Sequence, residues 1–234
     1  MEGALNKLLI IIPAYNEAEN IKNVIDNIKS RHVEFDYLVV NDGSVDDTAK
    51  ICRENDFNCL NLPINIGLSG AFQAGMKYAL YHDYEYVIQF DGDGQHNPEY
   101  IRPMLDYAEK EKLDVVIGSR FINGSRELSF RMLGNSLIDF LIKITTGKTI
   151  KDSTSGMRLY NKKVVSYMAY QSNCGPEPDT IAFLIRCGVK VGEYPVKMNE
   201  RMYGESYLTF TNGIKYMFHM LTSILIVQWF RKKV

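Results

Sequence analysis

Short apolar runs alternate with helix-spaced segments along the first half of the chain. Residues 8–12, 37–40, 58–62, 86–90 and 114–117 are brief and mostly β-branched or aromatic, which predicts strands. Between them, about 17–29, 46–56, 69–82 and 98–111 repeat apolar residues at helical spacing. Asn97-Pro98 suits the start of the last of these, with Asn as cap and Pro at the first helical position. Strand and helix alternating in this way predict an α/β fold, a mostly parallel sheet flanked by helices with right-handed crossovers. The pattern changes after residue 120. Residues 122–129 are polar and aperiodic, which predicts a surface loop, and 130–146 read as an amphipathic helix carrying Leu133, Leu137, Phe140, Leu141 and Ile144. Residues 212–230 are strongly apolar and run into Arg231-Lys232-Lys233, a combination suited to a helix lying in an anionic headgroup region. The expected organisation is one α/β domain over 1–211 and, over 212–234, an amphipathic helix that attaches to a membrane or a partner.

Composition narrows the class. With 234 residues, 46% of them hydrophobic, the chain can bury a substantial core. A net charge of −1 lacks the basic surplus of a nucleic-acid protein, so no nucleic-acid partner is expected. Cys52, Cys59, Cys174 and Cys187 show neither metal-type pairing nor short disulfide spacing, and read as reduced thiols in a cytosolic setting. The first apolar run is only five residues long and ends at Pro13, so no signal peptide is expected. The strongly apolar uncharged stretch 216–230 is shorter than the ~20 residues a helix needs to span a bilayer.

Chemistry collects where the strands end. The run 86–90 stops in Asp91-Gly92-Asp93, followed by Gly94-Gln95-His96. Two carboxylates one residue apart repel unless a cation shares them, and Mg²⁺ or Mn²⁺ bridged to substrate phosphates suits such oxygen donors. Asp and Gly also form ordinary turns. The first strand runs into Pro13-Ala14-Tyr15-Asn16-Glu17, where Tyr15 and Glu17 offer an aromatic face and an acceptor to a nucleobase, while Asn16 and Glu19 could equally form a capping box. The second ends in Asn41-Asp42-Gly43-Ser44, and there Ser44 or Asp47 could cap the next helix. In a parallel sheet, Glu17, Asp42 and Asp91/Asp93 converge on one rim, the carboxyl edge at which such sheets bind ligands.

Taken in order, the motifs resemble those of family 2 glycosyltransferases, enzymes of the Rossmann-like GT-A fold. They are Pro13-Ala14-Tyr15-Asn16-Glu17, Asn41-Asp42-Gly43-Ser44-x-Asp46-Asp47-Thr48, Asn65-x-Gly67-x-x-Gly70-Ala71-x-x-Ala74-Gly75 and Asp91-x-Asp93-x-Gln95-His96. Similarity to the dolichyl- or polyprenyl-phosphate sugar synthase branch extends through Gly118-Ser119-Arg120, Asp152-Ser153-Thr154-Ser155-Gly156-Met157-Arg158 and Arg201-x-x-Gly204-x-Ser206, so it covers about 7–210. The resemblance implies that Pro13, Tyr15, Glu17 and Asp42 hold base and ribose, and that Gly67, Gly70 and Ala71 let the chain pass close to a UDP- or GDP-linked donor. It implies that Asp91 and Asp93, with Gln95, bind Mg²⁺ or Mn²⁺ on the donor diphosphate, and that transfer proceeds with inversion. Arg120 and Arg131, which bracket the 122–129 loop, would clamp an acceptor lipid phosphate, with hydrogen bonds from Asn135 and Ser136. Asp152, Arg158 and Arg201 form the catalytic set, Asp152 acting as a general base or as an orienter of Arg158. Glu177 and Asp179 supply a second candidate base, or simply helix N-terminal charge.

The chain departs from the branch at Tyr207, where a lysine is usual, and it lacks the extra membrane-spanning helices of some members; a small membrane partner could replace them. The expectation is an enzyme peripheral to the cytoplasmic face of a membrane, transferring sugar to a polyprenyl phosphate. A hydroxyl of a lipid-linked saccharide is the alternative acceptor, and a non-catalytic nucleotide-sugar-binding scaffold is the reading from another class.

Overall fold

The structure, a computed structural model, describes residues 7–32, 34–123, 130–171, 174–199 and 210–231. Its centre is a seven-stranded sheet. The strands are β1 (Leu8–Ala14), β2 (Asp36–Asn41), β3 (Cys59–Asn61), β4 (Tyr86–Gln89), β5 (Val115–Ser119), β6 (Arg158–Asn161) and β7 (Val191–Pro195). They lie in the order β3-β2-β1-β4-β6-β5-β7. All neighbours pair parallel except β6, which runs antiparallel to both β4 and β5. The five strands expected from the apolar runs are present; β6 and β7 are additions to that expectation.

Helices α1 (Ile21–Arg31), α2 (Thr48–Glu54), α3 (Gly67–Tyr81), α4 (Ile101–Lys110), α5 (Phe130–Thr146), α6 (Lys162–Tyr170), α7 (Pro178–Arg186) and α8 (Phe210–Leu225) complete the described chain, with 3₁₀ turns at Pro98–Tyr100 and Val227–Phe230. β1 shows why the sheet is covered on both faces. Leu8, Ile10 and Ile12 join α1 and α4 residues in one apolar cluster, while Leu9 and Ile11 join α3, α6 and α7 residues in the other. A strand buried on both sides reads as an unbroken apolar run, as 8–12 does.

The chain passes from β1 outward to β2 and β3, then returns through α3 to β4 on the other side of β1. That reversal creates a crevice at the carboxyl ends of β1 and β4, the usual ligand position in an open α/β sheet. Asn97 caps the turn before α4 as expected, its side chain accepting from Glu99 N at 3.0 Å. The capping box at Asn16 is not formed. Asn16 takes a left-handed φ of 57°, its Oδ1 accepts from Val45 N at 3.0 Å, and α1 starts only at Ile21.

α8 packs against α5 and α7. Met220 and Ile224 are buried in the larger apolar cluster, and Ser223 and Gln228 are buried beside them. Phe218, Leu225, Trp229 and Phe230 remain exposed.

Candidate active site

Two loops knit the rim together at the ends of β1 and β2. Asn16 N donates to Ser44 Oγ at 3.0 Å, Glu17 N to Thr48 Oγ1 at 2.9 Å and Ala18 N to an Asp46 oxygen at 3.1 Å. Asp46, rather than Ser44 or Asp47, also accepts from Thr48 N at the start of α2. Tyr15 stands exposed at this edge, and Pro13 is half-buried between the buried Ile12 and Ala14. Asp42 is buried, and its Oδ1 accepts from Ile66 N at 2.8 Å, just ahead of Gly67 and α3. The Asp42 turn needs glycine at 43: φ is +64°, and a Cβ there would lie 2.5 Å from Asn65 N. Gly70 and Ala71 follow in the first turns of α3, with Ala71 buried.

Next to β1, the end of β4 presents Asp91 and Asp93. Asp91 N donates to His96 Nδ1 at 2.9 Å, which leaves the ring proton on Nε2, 3.3 Å from Asp91 Oδ2. Gln89 Nε2 donates to Asp91 Oδ1 at 3.2 Å, and Asp93 Oδ1 accepts from Gln95 N at 3.0 Å. Gln95 O accepts from Asn199 N at 2.8 Å. The Asp91 side chain keeps 35% of its surface exposed. Among the described residues no group of three or more His, Cys, Asp or Glu side chains could enclose a metal. A pair of hard carboxylate donors at an open rim still fits Mg²⁺ or Mn²⁺, because such ions take one or two carboxylates and draw their other ligands from substrate phosphates and water.

On the far side of Asp91 lies the 151–158 segment. A Cβ on Gly156 would sit 2.6 Å from Asp91 Oδ2, so that backbone lies directly against the carboxylate. Asp152 is fully buried and pairs with Arg120, not with Arg158 as the orienter expectation had it. Arg120 donates from Nε and Nη2 to the two Asp152 oxygens, both at 2.7 Å, and from its backbone N at 2.9 Å. Burial works against the Arg120 charge, but the Asp152 carboxylate outweighs it and holds the guanidinium pKa above its ordinary value. Arg158 is 1% exposed and spends its guanidinium on three backbone carbonyls, those of Ser155, Glu177 and Ser153.

Two carboxylates that the sequence did not single out fix this segment. Glu193 on β7 accepts from Lys151 N and Asp152 N, each at 2.9 Å, and burial raises its pKa. Asp139 on α5 accepts from Ser153 N at 3.1 Å and Ser153 Oγ at 2.6 Å. Their signal in the chain was a lone acid inside an apolar stretch, Val191-Gly192-Glu193-Tyr194 and Ile138-Asp139-Phe140. His96 was visible as part of its motif, but not as the group that sets the Asp91 turn. Asn135 and Ser136 are half-buried on α5. Arg131 follows Phe130 at the start of that helix, but its side chain, like all of Arg201, lies outside the described residues.

Comparison with known proteins fits this rim. Residues 9–168 match the family model described as glycosyl transferase family 2. The chain belongs to glycosyl transferase family 2. Its relatives include the polyprenol monophosphomannose synthase of Mycolicibacterium smegmatis, 30% identical over 91% of this chain and 84% of that protein. Another is the UDP-N-acetylglucosamine–dolichyl-phosphate N-acetylglucosaminyltransferase of Methanococcus voltae, 30% identical over 81% and 84%. In fold, this family 2 glycosyltransferase matches glucosyl-3-phosphoglycerate synthase from Mycobacterium tuberculosis, solved with Mn²⁺, uridine diphosphate and glucosyl-3-phosphoglycerate. The TM-score is 0.61 at 18% identity, covering 94% of this chain and 80% of that one.

Proposed function

We propose that this enzyme transfers a sugar, with inversion, from a UDP- or GDP-linked donor to a polyprenyl phosphate at the cytoplasmic face of a membrane. The observation that carries the acceptor class is the Arg120–Asp152 pair, formed by the segment whose Gly156 lies against Asp91. A carboxylate whose oxygens are taken by a guanidinium is poorly placed to accept a proton from a sugar hydroxyl. A phosphate monoester needs no such base, since its second pKa is about 6 and it is largely dianionic at neutral pH. Relatives named for polyprenol and dolichyl-phosphate products agree with this choice.

In this reading Pro13, Tyr15, Glu17 and Asp42 hold the nucleoside, and Gly67, Gly70 and Ala71 let α3 approach it. Asp91 and Asp93, with Gln95, hold Mg²⁺ or Mn²⁺, which when bound neutralises charge on the leaving diphosphate. Arg120, kept in place by Asp152, faces the acceptor phosphate together with Arg131, Asn135 and Ser136, and Arg201 completes the cationic set. Arg158 acts as a positioning residue for the 153–155 and 177 carbonyls.

Attachment to the membrane rests on α5 and the C-terminal segment. Among the described residues no helix is long and apolar enough to cross a membrane. Leu133, Leu137, Phe140 and Ile144 are nonetheless exposed, and they fall at helical spacing along one side of α5. Phe218, Trp229 and Phe230 add exposed apolar surface on the helix and turn packed near it. A face of this kind suits a headgroup layer or a membrane partner.

The test is transfer of radiolabelled sugar to undecaprenyl phosphate in vesicles, using a panel of UDP- and GDP-sugars. The expected product is labile to mild acid, and its formation is abolished by EDTA and restored by Mn²⁺. Asp93→Asn, nearly equal in volume, should fold normally and lower turnover about 10²- to 10³-fold, because it removes a charge from the cation site. An acid-stable product would point instead to a hydroxyl acceptor, and near-normal turnover of the variant at limiting Mn²⁺ would sink the metal assignment.

A further inference from the structure

Arg120 is cradled by two residues that flank a third. Its Nη2 donates to Asp152 Oδ1 at 2.7 Å and to Thr154 Oγ1 at 3.1 Å, and Ser153 lies between them in the chain. Ser153 is completely buried and is pinned by α5: Asp139 Oδ1 accepts from its backbone N at 3.1 Å and from its Oγ at 2.6 Å. Arg158 Nη2 takes the Ser153 carbonyl at 2.6 Å. From the other side, Glu193 on β7 holds Lys151 N and Asp152 N. The cradle thus hangs between the sheet and α5. The Arg120 side chain keeps 29% of its surface exposed, and its Nη1 makes no hydrogen bond among the described residues.

We propose that Asp139 is a positioning residue for the acceptor: through Ser153 it fixes the cradle that aims Arg120, and so ties acceptor recognition to α5, the helix with the exposed apolar face. The proposal rests on the acceptor reading of Arg120 above. Burial is the first argument. Holding α5 on the core needs no charge, since Ile138 and Ile142 on the same helix are fully buried. A carboxylate only 8% exposed is costly unless it is well bonded, and two bonds of Asp139 go to the one residue between the two that hold Arg120. Charge is the second. Against the burial that disfavours the Arg120 charge, the Asp139 carboxylate adds to that of Asp152 in keeping the guanidinium protonated. Position is the third. Leu137 and Phe140, on either side of Ile138 and Asp139, are exposed, so the carboxylate that steers the cation lies within two positions of the surface offered to lipid. One helix then meets both the prenyl chain and, through Arg120, its phosphate. The bonds that seat the donor loops, Glu17 N to Thr48 and Ile66 N to Asp42, run within the first half of the chain, so donor affinity should not pass through Asp139.

The experiment is steady-state transfer from the nucleotide sugar that the panel above selects to undecaprenyl phosphate in detergent micelles, with donor and acceptor varied separately. Micelles keep attachment to vesicles out of the rate. Asp139→Ala should raise the acceptor KM about tenfold and leave the donor KM unchanged, as a phosphate contact slackens. Asp139→Asn, which keeps an oxygen acceptor for Ser153, should stay within about threefold of the unaltered enzyme. Ser153→Ala removes only the hydroxyl, should raise the acceptor KM about three- to fivefold, and carries the test if Asp139→Ala does not fold. In the double variant the serine change should add little, because the hydroxyl has already lost its partner. A structural role alone would lower kcat or shift both KM values together, or would lower the melting temperature at an unchanged acceptor KM. Any of these, additive losses in the double variant, or an Asn variant as impaired as the Ala one would overturn the positioning role while leaving transfer to lipid phosphate intact. No transfer to undecaprenyl phosphate by the unaltered protein would overturn the acceptor reading and the positioning role with it.

Discussion

Asp152 takes Arg120 Nε, Nη2 and backbone N on its two oxygens, with Thr154 Oγ1 at 3.3 Å besides. Acting as a base would require it to release a guanidinium that we assign to the acceptor. Asp152→Asn therefore separates two roles. If the residue positions Arg120, the variant should be destabilised by about 3 kcal/mol, since it leaves a largely buried cation without its partner. Its KM for polyprenyl phosphate should rise about tenfold, from a weakened phosphate contact worth ~1.4 kcal/mol. The pH profile of kcat should keep its shape. Collapse of kcat at unchanged KM, with loss of the acid limb, would make Asp152 a base after all. Steady-state rates at varied acceptor across the neutral range decide between these. At this scale the sequence disclosed which residues gather at the rim, because strand ends of a parallel sheet converge. It could not disclose who pairs with whom: Arg158 shares a motif with Asp152 while Arg120 belongs to another far back in the chain, and only the backbone path decides which one reaches it.

At the scale of elements, α5 carries two faces with different tasks. Ile138 and Ile142 are buried, and Asp139 between them reaches the 151–158 segment, whereas Leu133, Leu137, Phe140 and Ile144 point outward. The sequence marked this helix as amphipathic, but its apolar residues outnumber those the core receives. Replacing both Leu137 and Phe140 by Ser should leave the melting temperature nearly unchanged, since neither is buried. It should weaken binding to anionic vesicles at least tenfold, because each such side chain contributes up to about 1.5–3 kcal/mol when buried in lipid. Vesicle sedimentation alongside thermal melts checks this, and full binding by the double variant would remove α5 from the membrane contact. β6 and β7 escaped the periodicity for physical reasons. β6 is four residues long with polar ends, Arg158 and Asn161, and its charge is absorbed by carbonyls rather than by solvent. β7 is an edge strand containing Gly192 and ending in Pro195, residues that argue against a strand in any local reading. β1, β2, β4 and β5 were legible because burial on both faces makes a strand a continuous apolar run.

At the scale of the whole molecule, the C-terminal segment was expected as an attachment separable at residue 212. The described part of the segment also packs on the interior: Ser223 Oγ and Arg231 both bond the buried Asp179, Tyr216 bonds Glu177, and Arg186 stacks over the Trp229 ring at 3.2 Å from its centroid. Met220 and Ile224 fill the cluster that also contains Phe72, Ile142 and Ile181. Deleting 212–234 would expose that cluster and leave Asp179 buried without these partners. Loss of two large buried side chains alone costs roughly 3–6 kcal/mol, a major part of the ~5–15 kcal/mol by which a domain is usually stable. The truncated chain should therefore melt roughly 10–20 °C lower, or be recovered insoluble. The outward face separates the two functions of the segment. Phe218→Ser with Phe230→Ser, both at exposed positions, should weaken vesicle binding while the melting temperature stays within a few degrees. Thermal melts and vesicle sedimentation of the truncation and the double variant make the comparison. If the truncated chain melts like the full one and still binds the bare nucleotide, the segment is an appendage and the boundary at 212 is real. If it melts far lower while the double variant only leaves the membrane, one helix both completes the core and carries the enzyme to its lipid.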